Sequence, residues 1–450
     1  MTSQRPAPGS PPALGDLAGT GVADTALAST GLPDSERPAW PVRRLLPLLG
    51  LAGVLLIGFS STVWWGPGLI GRTAWALPND LWGTLIAANR LLHGNLAGLY
   101  TQPTGLITFP GGAIILMPVI ALIDVLGMSL HVQGPGNEQP VTWLLAGPYE
   151  TIISAIPLFA ADAIAEHVGA SKRKRVILAA ASAIAVWNVS IRWGHPEDAV
   201  AVGLLLYAIL DRANGKTTRS AWLTGAAVAV QPLVLLVIPV LLAVIEPRRI
   251  PGFLTRAAAP AVVLLTAAAV ANWHATYKAI FQQPNWPTVD HPTPWLALAT
   301  KLPSGAVAAG PVRLLAVAAS LACGFAVWRQ CRTARNGAPW DSGLLLTVLW
   351  WAALALALRS VFEPVMVSYY LWPVLAAALI AAITSWPRLL ATSLIAVTLT
   401  FVSQSSWRGE WTWWGVMVLG LAVVLACSRP ARAKERAPSP PAACRPATRK

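Results

Sequence analysis

Seven consecutive residues, Arg192-Trp193-Gly194-His195-Pro196-Glu197-Asp198, carry a guanidinium, an imidazole and two carboxylates between apolar runs at 176–190 and 199–210. A carboxylate can take the proton of a hydroxyl as that hydroxyl attacks. A guanidinium offers phosphate a planar fork of donors. An ionisable group inside the hydrocarbon costs roughly 2.5–3.5 kcal/mol on insertion scales, so it marks a site or sits in the headgroup zone. Gly194 permits a break, Pro196 tends to open a helix, and the Trp193 ring suits an interface. The stretch therefore reads as a short polar cap joining two membrane spans, with a plain solvated loop as the competing reading.

A second acid stands earlier. Pro78-Asn79-Asp80 opens a helical run over 81–92 that ends at Gly94. Asp80 fits either an N-cap or first-turn acid or a reactive carboxylate. The run carries Arg90 and His93 on an otherwise apolar helix, so it is expected to lie along the membrane surface.

The elements that must hold these groups follow from composition. The chain has 450 residues, 55% hydrophobic and 12% charged, and apolar stretches of span length recur from residue 45 to residue 427. That pattern predicts an all-α polytopic membrane protein of about 10–13 membrane segments. The net charge of +14 comes from Lys and Arg gathered in short loops and the C-terminal tail. This is the positive-inside pattern and implies no nucleic-acid partner. Residues 1–40 and 429–450 read as disordered cytoplasmic tails flanking a membrane domain over 41–428. None of Cys323, Cys331, Cys427 and Cys444 falls in a loop placed outside, so no disulfide framework is implied.

Loop charges set the topology. The loop 127–142 has no Lys or Arg, whereas Lys172-Arg173-Lys174-Arg175 belong inside. One span joins them, so the apolar stretch 113–126 must leave and return on the outer side, as two short helices bent at Pro118. The stretch between Lys216 with Arg219 and Arg248-Arg249 is likewise too short for two spans of about 20 residues each. It reads as a second hairpin with Gln231 at its outer tip. Alternation is regular thereafter, with 274–310 the longest internal polar loop.

This topology collects Asp80, Phe109-Pro110, Glu150, Arg192 to Asp198, Gln231, the 274–310 loop and Arg359 to Tyr370 at one face. Acids there could act as general bases, Arg192 and Arg359 could hold a phosphate, and Trp and Tyr, including Tyr369 and Tyr370, suit sugar faces and the interface. The combination points to chemistry on a lipid phosphate carrying a sugar. No Gly-rich nucleotide loop and no zinc spacing competes. His195, His274 and His291 read first as loop or interface histidines.

The order of these features resembles the GT-C superfamily of integral-membrane glycosyltransferases. It is most similar to family 87, the polyprenol-phosphate-mannose-dependent mannosyltransferases of actinobacteria. Four places between residues 45 and 425 carry the resemblance. They are Asp80 with the helix running to Leu92-His93-Gly94 and Leu99-Tyr100, Phe109-Pro110 with Gly111 in place of a second proline, Gly194-His195-Pro196-Glu197-Asp198, and the hairpin 221–239, where Gln231 replaces a common lysine. The resemblance implies metal-independent, inverting-type transfer, with no cofactor, of a sugar, mannose by analogy, from a polyprenyl-phosphate donor. The acceptor would be a lipid or glycan of the cell envelope at the outer face of the cytoplasmic membrane. It gives Asp80 the role of base, with Glu197 or Asp198 as the second acid. Arg192, His195, Gln231, Arg359, Tyr369 and Tyr370 are the candidate substrate-binding residues. A flippase for a lipid-linked saccharide, or a non-catalytic subunit of an envelope-biosynthesis complex, is the alternative reading.

Overall fold

The computed structural model describes residues 40–63, 75, 79–102, 104, 106, 108–130, 141–331, 339–405, 409 and 411–430. The tail assignments lie almost wholly outside the described residues. Among the described residues six helices are long and apolar enough to cross a membrane: Leu45–Thr62, Leu144–His167, Lys172–Arg192, Pro247–Ala271, Val312–Gln330 and Ser342–Phe362. Shorter apolar helices accompany them.

The described chain opens with α1 (Trp40–Arg43) and α2 (Leu45–Val63), followed by α3 (Asn79–Leu92). α3 does not simply lie on the surface. Its Leu81, Leu85 and Ala88 are buried against α4 (Gly111–Ile114) and α5 (Met117–Val125), so protein covers its apolar face. Arg90 straps the next loop by donating to the carbonyls of Thr101 at 2.9 Å and Gln102 at 3.2 Å. The break expected at Pro118 falls slightly earlier, at Ile115-Leu116. Pro118 is the second residue of α5, where its missing N–H has no helical partner to lose.

α6 (Gly147–Ser154) and α7 (Ile156–His167) make one span, and α8 (Lys172–Trp187) returns beside it. α9 (Pro196–Ala213) and α10 (Thr217–Val230) form a closely packed pair. α10 stops at Gln231, whose backbone is extended (φ −146°, ψ 118°), because Pro232 disfavours a helical residue before it. A 3-10 segment, Pro232–Val237, and α11 (Ile238–Leu242) complete the predicted pair of short pieces.

α12 (Ile250–Ala271) leads to α13 (Trp273–Phe281), so the 274–310 region is not simply loop. Asn272 restarts the helix by accepting from Ala275 N at 3.1 Å. Strands β1 (His291–Pro292), β2 (Thr300–Lys301) and β3 (Val307–Ala308) follow, then α14 (Val312–Gln330) and α15 (Ser342–Phe362). β4 (Val365–Met366), α16 (Trp372–Ala381), α17 (Trp386–Val402) and α18 (Thr412–Ser428) end the fold. β1 pairs antiparallel with β4, His291 opposite Met366, and β2 pairs with β3. α16 is buried along its whole length, with Trp372 and Trp413 among the largest enclosed side chains.

The bundle has two chemically different ends. At one, Asp162 of α7 accepts from Arg44 at 2.9 Å and from Arg175 at 2.8 Å, while Glu166 lies 2.8 Å from Arg44. Asp211 at the end of α9 pairs with Arg219 at 2.9 Å. Removing one partner of a buried pair strands its charge, at a cost of about 3–5 kcal/mol, so this end is pinned. Chain direction then carries the start of α6, the end of α8, the start of α9 and the end of α10 to the opposite end. Those are the places where Glu150, Arg192 to Asp198 and Gln231 stand.

Candidate functional site

The site is built at the turn between α8 and α9. α8 ends in a π-helical turn, Asn188–Arg192. Gly194 takes φ +66°, a conformation open to glycine, and its N–H donates to Ser190 O at 2.8 Å. His195 N donates to Val189 O at 2.9 Å, and Pro196 opens α9. Glu197 and Asp198 thereby occupy the first turn of α9, where free backbone N–H groups favour negative charge. The turn is not a solvated loop: His195 and Glu197 are 5% exposed and Asp198 is 0% exposed.

His195 is the hub. Its Nδ1 lies 2.7 Å from Glu197 Oε1 and its Nε2 lies 3.1 Å from Asp80 Oδ2, and its ring stacks on Tyr369 with centroids 3.9 Å apart. Two carboxylate neighbours require N–H on both ring nitrogens, which only the imidazolium supplies. Burial by itself would lower the affinity of the ring for its proton. The charges and hydrogen bonds of Glu197 and Asp80 outweigh that and hold it well above the usual histidine range. The result is a chain Asp80–His195–Glu197 linking a half-exposed carboxylate to a buried one.

Asp198 faces the other way. Its Oδ1 accepts from Gln231 Nε2 at 2.7 Å and lies 3.7 Å from Arg359 Nη1. Gln231 in turn accepts from Thr108 Oγ1 at 3.1 Å. Arg359, in the last turn of α15, stacks 3.7 Å over the Tyr370 ring, and Tyr370 stands edge-on to Tyr369. The guanidinium thus sits over an aromatic face with a carboxylate 3.7 Å away.

A cavity of about 250 Å³ opens beside these groups. Its polar end is made by Thr108, His195, Glu197, Gln231, Arg359 and Tyr369. Its apolar wall includes Leu233, Leu235, Leu236, Val317 and Phe362, and Arg313, Gln283 and Glu363 lie at an edge. Leu235 and Val317 are each 50% exposed, so this wall continues onto the outer surface of the bundle. Glu197 Oε2 and Asp198 Oδ2 are buried without a hydrogen-bond partner.

Of the residues singled out from sequence, Asp80, His195, Glu197, Asp198, Gln231, Arg359, Tyr369 and Tyr370 come together here. Arg192 does not join them at the cavity. Its Nε donates to Gln404 Oε1 at 3.1 Å, and Gln404 donates on to Asn188 at 2.7 Å, so it ties α8 to α17. His195 is not an idle interface histidine, as first read; enclosure between two acids and Tyr369 changes its role. His291 stacks on Trp413 at 3.8 Å, and His274 is exposed and does not line the cavity.

Four further groups belong to the neighbourhood. Arg313 and Thr108 line the cavity. Glu150, 1% exposed and with neither oxygen hydrogen-bonded, lies within electrostatic range of Glu197 and His195. Asp290, immediately before β1, is raised to about 6 by burial and by the charge of Asp80, with His195 opposing. Glu150 and the 274–310 loop were placed on this face by the topology argument, but nothing in the sequence joined either acid to His195. Among the described residues no group of three or more His, Cys, Asp or Glu is arranged to hold a metal ion. Compared with known proteins, the chain matches no family model and no curated protein.

Proposed function

We propose that the protein is a membrane glycosyltransferase. It moves a sugar from a prenyl-phosphate donor to a hydroxyl acceptor at the outer face of the cytoplasmic membrane. This is the GT-C pattern, nearest to the family 87 mannosyltransferases. One observation carries the reading: His195, which bridges Asp80 and Glu197, lines a cavity together with Glu197, Arg359 and an apolar wall that reaches the bundle surface. A lipid phosphate needs that pairing of cation and apolar wall, and a hydroxyl nucleophile needs a carboxylate beside it. The volume lies just below the roughly 300–1,000 Å³ usual for small-ligand pockets. That suits a phosphate carrying one sugar and leaves no room to pass an oligosaccharide, which favours transfer over flipping. The basic, ion-paired end of the bundle fits the inside by the positive-inside rule, which supports an outer position for the cavity.

In this mechanism the acceptor oxygen forms a bond to the anomeric carbon of the sugar. The bond from that carbon to the phosphate oxygen breaks, and its electron pair leaves on the prenyl phosphate. Asp80 takes the hydroxyl proton. His195, cationic between two acids, orients Asp80 and balances its charge. Arg359, set flat on Tyr370, steadies the growing charge of the leaving phosphate, with Arg313 at the cavity edge as a second cation. Gln231, placed where the resemblance expects lysine, aims Asp198 instead of contacting phosphate directly.

The test follows prenyl phosphate released from a radiolabelled prenyl-phosphate mannose in membranes carrying wild-type, Arg359→Ala or Arg359→Lys protein. Alanine is expected to remove most release while the protein still inserts. Lysine is expected to restore only part of it, because a point charge does not reproduce a planar fork. Equal release by all three proteins removes Arg359 from the donor site. No release above empty membranes by the wild type overturns the donor assignment.

A further inference from the structure

We infer that α13 is an interfacial anchor whose partner is a lipid surface. Its Trp273, Tyr277 and Phe281 side chains sit among the headgroups and upper acyl chains of the leaflet at the cavity end of the bundle, beside the cavity edge.

A spacing of four residues puts the three rings in one row along the helix. The centroids of Trp273 and Tyr277 are 6.0 Å apart, and those of Tyr277 and Phe281 are 5.0 Å apart. In chain order the row is 67%, 43% and 65% exposed. Next to it runs a polar row, His274 and Lys278, which is exposed as well. The remaining side, Ala275, Thr276 and Ala279, turns to the protein, with Thr276 buried. A helix with a protein side, a polar side and an aromatic side fits the boundary where protein, water and hydrocarbon meet. Trp and Tyr suit that boundary because each has an apolar body and a polar tip.

The helix before α13 indicates what covers the row. α12 is long and apolar enough to cross a membrane, and of its residues only Phe253, Ala257, Ala261 and Ala268 are buried. Val262, Val263 and Val270 are exposed on it, so on a span they face hydrocarbon. The backbone breaks at Asn272 (φ −158°, ψ 87°) and α13 begins at the next residue. The aromatic row therefore starts three residues after Val270, where the lipid-facing flank of the span ends. Both ends of α13 are tied to the fold. Asn272 Nδ2 donates to Ala97 O at 3.2 Å. Just past Phe281, Gln283 Oε1 accepts from Arg313 Nη2 at 3.1 Å, and Arg313 Nε lies 3.6 Å from Glu363 Oε1. Gln283, Arg313 and Glu363 edge the cavity, so the anchor holds that edge against the leaflet.

The test uses full-length protein in nanodiscs of phosphatidylcholine and phosphatidylglycerol. The photocrosslinking residue benzoylphenylalanine replaces Trp273, Phe281 or, as the aqueous control, the exposed Val289. After irradiation, mass spectrometry counts protein carrying a covalent lipid. Rings immersed about 5–10 Å into the headgroup and acyl boundary are expected to give at least about tenfold more lipid adduct at 273 and 281 than at 289. Should either variant fail to insert, Tyr277 supplies the third site in the row. Lipid adducts no more frequent than at 289 place the row in water and overturn the inference. Crosslinks to a second copy of the chain in place of lipid overturn it too. The readout needs no donor, acceptor or turnover, so its failure leaves the transferase reading standing.

Discussion

Gln231→Leu isolates the contact that holds Asp198. That acid is 0% exposed. Gln231 Nε2 is 2.7 Å from Oδ1, Arg359 stands at 3.7 Å, beyond hydrogen-bond reach, and Oδ2 has no hydrogen bond. Leucine is close to glutamine in size, so little cavity is created. What disappears is a charge-assisted hydrogen bond, and what remains is a buried carboxylate with one distant cation. Hydrogen bonds to charged groups contribute about 1.5–3 kcal/mol and a stranded buried acceptor costs about 1–3, more if charged, so the expected destabilisation is about 3 kcal/mol. Thr108 loses its contact to Gln231 but keeps Val230 O at 3.1 Å, so it adds little. Gln231→Lys keeps a donor and is expected to recover most of the loss. The assay is reversible unfolding of the purified protein in mixed micelles at neutral pH. A leucine variant within about 0.5 kcal/mol of wild type, the range of an ordinary surface change, would refute the claim that Gln231 holds a charged Asp198.

Gly111→Ala should also weaken the site, because its Cβ would fall on Ala229 O and within 2.6 Å of Ala229 C and 2.8 Å of Val230 N. Backbone cannot yield there, so α4 must part from α10 at about 1–3 kcal/mol, read in the same titration. Asp290, raised to about 6 among Asp80, His195 and Tyr370, binds its proton more tightly than the usual carboxyl at 3.8. Its contribution therefore makes the folded state lose stability as pH rises from about 4 to 6. His195 has the same sign higher up: its stabilisation is full below 6.5 and is lost as pH rises through its raised folded value. Unfolding titrations of wild type and Asp290→Asn across pH 4–8 check both slopes. For topology, cysteine at the 69%-exposed Val289 should react with an impermeant maleimide from outside, and cysteine at the exposed Ser171 should not. The opposite labelling inverts the placement of the cavity.

Much of this arrangement is legible in the chain because it is local. Pro196 opens α9, Pro232 ends α10 at Gln231, and the apolar runs give the spans within a few residues. Glu197 and Asp198 read as a first-turn acidic pair from their place after that proline. The pairings that make the site a site are not local. Asp80 meets His195 across 115 residues, and Arg192 turns to Gln404 across 212. Asp290 reaches its place through the pairing of β1 with β4, two residues each, which no periodicity announces. α3 reads as a surface helix because its apolar stripe is visible and the helices that cover it are not.

The most direct test of the account is the fate of Asp80. An acceptor hydroxyl is a weak nucleophile at neutral pH, and a carboxylate that takes its proton contributes about 10²–10⁴-fold. Asparagine keeps the shape, caps a helix about as well as aspartate, and cannot take a proton. Proteoliposomes of wild type and Asp80→Asn would be given labelled prenyl-phosphate mannose and an octyl hexoside, and the glycosylated product counted. The account predicts labelled product in wild type and a loss of at least about 10²-fold in Asp80→Asn, with both proteins equally folded. Near-equal product from the two proteins would contradict it.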